Sequence, residues 1–186
     1  MDGTMIPLQG ITMELRKNGL PTKVSIQRKP EGIGLELKTV ACGDTNIIVF
    51  FELQEGKDRM KTKKYREVFP HHTALSLRLT ENYKGTFRVV YGDAYFASVS
   101  TLMALRGIHK LHFIGHCKTA SKMYPNFFLH DWHESLDLKT QRGEHIVLVA
   151  SDNMHNDGMF AVGYADQKLF TFIANAGTTI KTDDIV

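Results

Sequence analysis

The sequence predicts a mixed α/β fold, and three observations carry that prediction. A strand hairpin pattern occupies residues 35–53, helix-type segments at about 73–83 and from 98 are each followed by a strand-type run, and three short strand-like runs follow residue 145. Strands interleaved with helices exclude an all-β sandwich and a helical bundle. At 186 residues, 42% hydrophobic and 23% charged, the chain has ordinary globular composition, and disorder is not expected.

The elements follow in order. Residues 1–33 carry Gly3, Pro7, Gly10, Gly19, Pro21, Pro30 and Gly32, a density of breakers that predicts an irregular or short-stranded lead-in. From Leu35 to Ala41 odd and even positions differ in character, as in a strand with two unlike faces. Gly43-Asp44-Thr45-Asn46 then turns the chain into Ile47-Ile48-Val49-Phe50-Phe51-Glu52-Leu53. This β-branched and aromatic run reads as the more fully buried strand of the hairpin. A helix is predicted from about Thr73 to Tyr83, with Leu75, Leu79 and Tyr83 at four-residue spacing and Gly85 beyond. The run Phe87, Val89, Val90, Tyr91 is the next strand. Ser98 is the expected N-cap of a helix leaving at Gly107, and Leu111–Ile114 is a further strand. The last runs are His145–Ala150, Met159–Tyr164 and Leu169–Ala174, separated by Asn156-Asp157-Gly158 and Asp166. They predict a small β-rich subdomain.

Charge and cysteine content narrow the function classes. A net charge of +3 and a pI near 8.8 tolerate a polyanionic partner without demanding one. Lys57, Arg59, Lys61, Lys63, Lys64 and Arg66 fall within ten positions, a run that reads as a solvated surface, a phosphate-facing patch or a nuclear-import signal. Cys42 and Cys117 form no CxxC pattern, so a reducing compartment is expected. No secretion signal is visible at Met1-Asp2-Gly3-Thr4, and no stretch approaches the ~18 apolar residues needed to span a bilayer.

Asp93, in Gly92-Asp93-Ala94-Tyr95-Phe96-Ala97-Ser98, follows a strand and precedes a helix. A carboxylate at a strand's carboxyl end suits a hard divalent cation such as Mg²⁺; an Asp in a tight turn before a helix fits the same residues. Other constellations are weaker. His112 and His116, on a strand, would stand about 13 Å apart. His130 and His133, beside Asp131 and Glu134, share a helical turn but lack further ligands. No Gly-x-Ser-x-Gly elbow, GxxxxGK[ST] or GxGxxG occurs, so nucleophilic-serine and nucleotide readings have no support.

Several segments together resemble the piggyBac-type transposases and the domesticated proteins derived from them. Met5-Ile6-Pro7-Leu8-Gln9-Gly10 resembles the family's opening segment. Lys29-Pro30 followed by Gly34 resembles its lead into the first core strand, and Gly56-Lys57 the end of its second. Asp93 and its flanks resemble Asp-Asn-x-Phe-x-Ser, with Ala94 in place of Asn. Arg106-Gly107-Ile108, then Gly115, Lys118, Lys122 and Pro125, resembles the segment that follows.

The resemblance implies an RNase H-like mixed sheet with flanking helices, interrupted by a small β-rich insertion, with the C-terminal part of the core missing. Its domains would be 1–33 lead-in, 34–118 core and 119–186 insertion. In the family three aspartates hold two Mg²⁺ or Mn²⁺ ions about 3.5–4 Å apart for cutting and joining DNA. Asp93 matches the second aspartate. The first falls on Cys42, whose soft thiolate suits zinc or copper rather than Mg²⁺, and Asp44 is the candidate substitute, two residues further along. The third is expected to be absent, with Asp183 and Asp184 at the extreme terminus. Catalytic and metal-binding candidates are therefore Asp93 and Asp44, and DNA-contact candidates are Lys118, Lys122, Arg88, Lys63 and Lys64. The expected function is a transposase-derived domain of nuclear location that cleaves no DNA by itself. The alternative is a domesticated, non-enzymatic DNA- or protein-binding module. Ending before the last core strand and helix is expected to expose a sheet edge and with it a tendency to self-association.

Overall fold

Alternation along 33–41 gives the central strand of the first half of the chain. The computed structural model describes residues 1–7, 24–27, 33–118, 121–152 and 155–177, so Leu8-Gln9-Gly10, Lys29-Pro30 and Asp183-Asp184 lie outside the described residues. The chain divides into two units, Met1–Asn82 and Tyr83–Val186. Among the described residues they hold two sheets and four α-helices, a mixed α/β architecture as the sequence predicts.

In the first unit β3 (Ile33–Ala41) is flanked by β1 (Asp2–Pro7) on one side and by β2 (Val24–Ser25) and β4 (Ile48–Leu53) on the other, all antiparallel. The breaker-rich lead-in thus still supplies a six-residue strand. Gly34 makes this possible, because a Cβ there would sit 2.0 Å from the Ile6 carbonyl oxygen. β4 differs from expectation. Its apolar run reads as buried, yet it pairs with β3 alone among the described residues, and residues 48–51 are exposed on both faces. A β-branched run reports a pleated backbone, and its neighbours decide whether it is covered.

Helices α1 (Lys57–Lys61) and α2 (His71–Leu79) follow. α2 buries Ala74, Leu75, Leu77 and Leu79. It ends sooner than predicted, at Thr80, whose hydroxyl donates to the Ser76 carbonyl at 2.8 Å, and a 3₁₀ turn at Glu81–Tyr83 completes the segment. Arg78 ties α2 to β4 with a two-pronged bond to Glu52, Nε to Oε2 at 2.7 Å and Nη2 to Oε1 at 2.9 Å. Both side chains are about nine-tenths buried, so loss of Glu52 would leave the Arg78 guanidinium a buried charge without its carboxylate, which costs about 3–5 kcal/mol, whereas Glu52 without Arg78 keeps Lys63 at 3.3 Å.

The second unit is a five-stranded sheet in the order β5-β6-β9-β8-β7. β5 (Val89–Gly92) and β6 (His112–His116) run parallel, while β7 (His145–Asp152), β8 (His155–Ala165) and β9 (Leu169–Ala174) form an antiparallel meander joined to β6 through β9. Where a single mixed sheet was expected, the pairing thus divides into two. Asn156, Asp157 and Gly158, expected as a turn, lie within β8.

Ser98 caps α3 (Val99–Ala104), its Oγ accepting the Thr101 N–H at 3.1 Å. The predicted exit at Gly107 is overrun. A π-helical turn, Leu105–His109, carries the chain to Lys110, which takes the left-handed conformation at φ 56°. Leu105, Phe96, Leu111 and Phe113 are fully buried around it. Asn175 then closes the sheet. Its backbone N–H donates to the Phe113 carbonyl, its side-chain oxygen accepts the Phe113 N–H at 2.7 Å, and its carbonyl accepts His112 Nδ1–H at 3.0 Å.

One pH effect belongs to the first unit. Burial lowers the His71 pKa, aided by the Arg66 and Arg78 charges and opposed by Glu52, and the ring bonds to Gln54 at 3.3 Å. The unfolded chain therefore takes up this proton first, so stability declines as pH falls below about 6.5. His71→Gln is expected to flatten that decline in urea titrations run between pH 7.5 and 5.

Candidate functional site

Asp93 stands immediately past β5. Its turn is held by its own groups: Oδ1 accepts the Tyr95 N–H at 2.9 Å, and its carbonyl accepts the Phe96 and Ala97 N–H groups. The carboxylate is exposed. Two glycines determine where it sits. Gly92 and Gly115 are partners in the parallel β5–β6 ladder. A Cβ on Gly115 would come within 2.9 Å of Ala97 Cβ, the Gly92 carbonyl oxygen and the Phe113 ring, and one on Gly92 would meet that ring at 2.9 Å. The missing side chains let the Asp93 turn lie directly on β6.

His116 is the next residue of β6. Its ring packs against Phe172 and Phe170 at centroid distances of 5.6 and 6.2 Å. Beyond it Cys117 is buried, its thiol pushed up in pKa by burial, and Lys118 is exposed. The carboxyl ends of two parallel strands thus present Asp93, His116 and Lys118, the edge at which α/β sheets bind ligands. The sequence singles out Gly115 as a family position and Lys118 as a family position and phosphate-contact candidate, but not their place beside Asp93, because strand register is not legible in it.

The remaining candidates sit as follows. β3 ends at Ala41, so Asp44 lies in the Gly43–Thr45 turn rather than on a continued strand, and it is exposed. Cys42 precedes it, its thiol pKa lowered chiefly by the Thr45 hydroxyl and then by the Thr45 and Asp44 backbone N–H groups. Lys63 is bound to Glu55 at 2.8 Å and Glu52 at 3.3 Å, and Lys64 to Glu81 at 2.7 Å. These two are engaged by carboxylates of their own unit. Arg88 is exposed with its guanidinium 5.4 Å from the Tyr83 ring centre, and Lys122 is exposed. His112 and His116 are both on β6, where His112 accepts from Arg106 at 3.4 Å while donating to Asn175. His133 donates to the Asp166 carbonyl at 3.3 Å, and His130 is exposed on α4 (Asn126–Glu134).

A pair of hard cations needs several oxygen donors in one place. Among the described residues no three His, Cys, Asp or Glu side chains come together, and Asp93 already commits one oxygen to Tyr95. With a thiol at 42, this donor set does not fit the two-ion site that the resemblance implies.

Fold and family together define a DDE-type transposase domain. The family described as Transposase IS4 matches residues 9–185, and the chain belongs to it. A cryo-EM structure of a piggyBac transposase synaptic complex with hairpin DNA is similar in fold, with a TM-score of 0.74 at 16% identity; 98% of this chain aligns with 34% of that one. The chain thus spans about a third of that transposase's length. No curated protein matches it. No helix among the described residues is long and apolar enough to cross a membrane.

The glycine pair yields a direct test. Gly115→Ala is expected to cost about 1–3 kcal/mol through overpacking, read as a lowered urea midpoint. Gly107→Ala, where an added Cβ meets nothing within 4 Å, should be neutral or mildly stabilising.

Proposed function

We infer that the chain is a piggyBac-like, transposase-derived domain that retains an ancestral DNA-handling surface and does not cut DNA by itself. The observation that carries this reading is Cys42 at the position of the family's first metal-binding aspartate, a soft donor where the chemistry requires a hard one. In this reading the core is RNase H-like and spans 34–118, preceded by the lead-in at 1–33. Residues 119–186 belong to the β-rich insertion, bonded through β9 onto β6. Asp93 is the one family aspartate carried over, Asp44 is the candidate substitute for the first, and Mg²⁺ or Mn²⁺ would serve only a chain whose donor set was complete.

Incubation with supercoiled plasmid and Mg²⁺ or Mn²⁺ is expected to give no nicking above that of Asp93→Asn. Cleavage abolished by Asp93→Asn or by Asp44→Asn would overturn the inactive reading and establish the active one.

The retained function is a domesticated binding role, with DNA the partner favoured by Lys118, Lys122 and Arg88. Such cations position a duplex through its phosphates without reading bases. A nuclear location goes with this role, and a tagged chain excluded from nuclei would contradict it. Lys118→Ala and Lys122→Ala are each expected to weaken binding alike on unrelated duplexes, lowering the slope of log K against log salt by about 0.9 per lost contact. Lys63→Ala and Lys64→Ala should do less, since their ammonium groups are held by Glu52, Glu55 and Glu81. Fluorescence anisotropy across a salt series checks this, and equal binding by all four variants would leave a protein partner as the supported alternative.

A further inference from the structure

The stretch from Tyr83 to His112 carries four Lys and Arg side chains, Lys84, Arg88, Arg106 and Lys110, and one acid, Asp93. Two segments bonded side by side bring the cations together. Gly85 N–H donates to the His109 carbonyl at 2.7 Å, Phe87 N–H to the Lys110 carbonyl at 3.1 Å, and His112 N–H to the Arg88 carbonyl at 2.9 Å. These bonds set Lys84 and Arg88 alongside Lys110 at the amino ends of β5 and β6. The acid is at the other end: five residues of strand at ~3.3 Å each put Asp93 about 17 Å from Arg88. Glu81, the nearest acid in sequence, is held by Lys64 and Tyr65. Among the described residues Lys84, Arg88 and Lys110 have no ion pair.

Two aromatic rings lie within this cluster, each with a guanidinium over it. Arg88 is 5.4 Å from the Tyr83 ring centre, and Arg106 is 5.9 Å from that of Phe87. Phe87 is 57% exposed, yet it and its bonding partner Lys110 take left-handed φ values of 54° and 56°, a costly conformation for any residue with a side chain. The fold thus holds a phenyl ring in solvent, beside unpaired cations, at a strained position.

We propose that this surface binds a single-stranded nucleic acid, with a base stacked on Phe87 and phosphates on Lys84, Arg88 and Lys110. Charge alone would suit any polyanion. The exposed ring selects an unpaired strand, because a base offers its flat face to a side chain only when it has left a duplex stack, and aromatics interleaved with Arg and Lys are the combination that sequence-tolerant single-strand sites use. An acidic peptide would engage the cations and leave Phe87 idle. Arg88 lies with this surface, at the opposite strand ends from Lys118, so the proposal goes beyond the duplex reading and stands apart from it.

The full chain is titrated, by fluorescence anisotropy across a salt series, with short labelled oligo(dT) and oligo(U) strands and with a duplex of matched length. Phe87→Ala is expected to weaken single-strand binding about five- to a hundredfold, the span of one stacked base, with the salt slope unchanged; Phe87→Trp should retain binding. Lys84→Ala and Lys110→Ala should each lower the slope of log K against log salt by about 0.7. Phe127→Ala, which removes an exposed ring of α4, should change nothing, and every variant should keep the parent's far-UV circular dichroism spectrum. These losses on oligo(dT) alone assign a DNA strand, and on oligo(U) alone an RNA strand; either supports the proposal. Phe87→Ala that binds both strands as tightly as the parent, or that weakens the duplex as much as the strands, would overturn it. So would Lys84→Ala and Lys110→Ala that weaken a poly-glutamate peptide and neither strand. Lys118→Ala and Lys122→Ala report on duplex binding instead, so failure of either conclusion is read from different residues.

Discussion

Two residues without side chains, facing each other across a parallel ladder, set the geometry on which the acidic edge depends. Gly92 and Gly115 bring the Asp93 turn onto β6 so closely that a Cβ on either would lie 2.9 Å from its neighbours. Phe96, Ala97 and Phe113 fill the space between them. The Asx-type bond from Tyr95 then locks the turn from within. Asp93 consequently owes its position to packing behind it rather than to any bond from its exposed side.

In the first unit, charge serves internal structure more than its abundance suggests. Arg78 and Lys63 converge on Glu52, Arg59 and Lys63 on Glu55, and Lys64 on Glu81. Arg66 is also bound internally, donating to the Phe69 carbonyl at 2.9 Å. A stretch with six cations in ten positions thus spends most of them on acids and carbonyls nearby. Among the described residues, the cations considered for phosphate contact that are not so engaged are Lys118 and Lys122, in the second unit, with Arg88 held over an aromatic ring.

What could be read from residue order is what local physics determines. The strands at 33–41, 48–53 and 145–174, the Ser98 cap and the strand-end position of Asp93 all follow from alternation, capping chemistry and turn residues. The exit of α3 could not be read, because a glycine signals a helix end only when the backbone turns left-handed there. Here the π-helical turn defers that step to Lys110. The exposure of β4 and the division into two sheets were illegible for a related reason: strand neighbours are chosen by non-local pairing. The same holds for the ion pairs, since Glu52 meets Arg78 across 26 positions, a separation that no sequence window samples. The Asp93 site was legible as a residue and a turn, while the placing of His116 and Lys118 at the same strand ends depended on register.

The order in which the second unit assembles follows from how Asn175 is bonded. The β7–β8–β9 meander joins strands close in sequence and can form on the fast timescale of hairpins. Docking it onto β6 closes a much longer loop, the Asn175–Phe113 bond spanning 62 positions, and that closure carries an entropic cost which slows folding. Asn175, which adds both backbone and amide bonds to β6, therefore acts late, as the latch of a docking step whose two halves are already shaped.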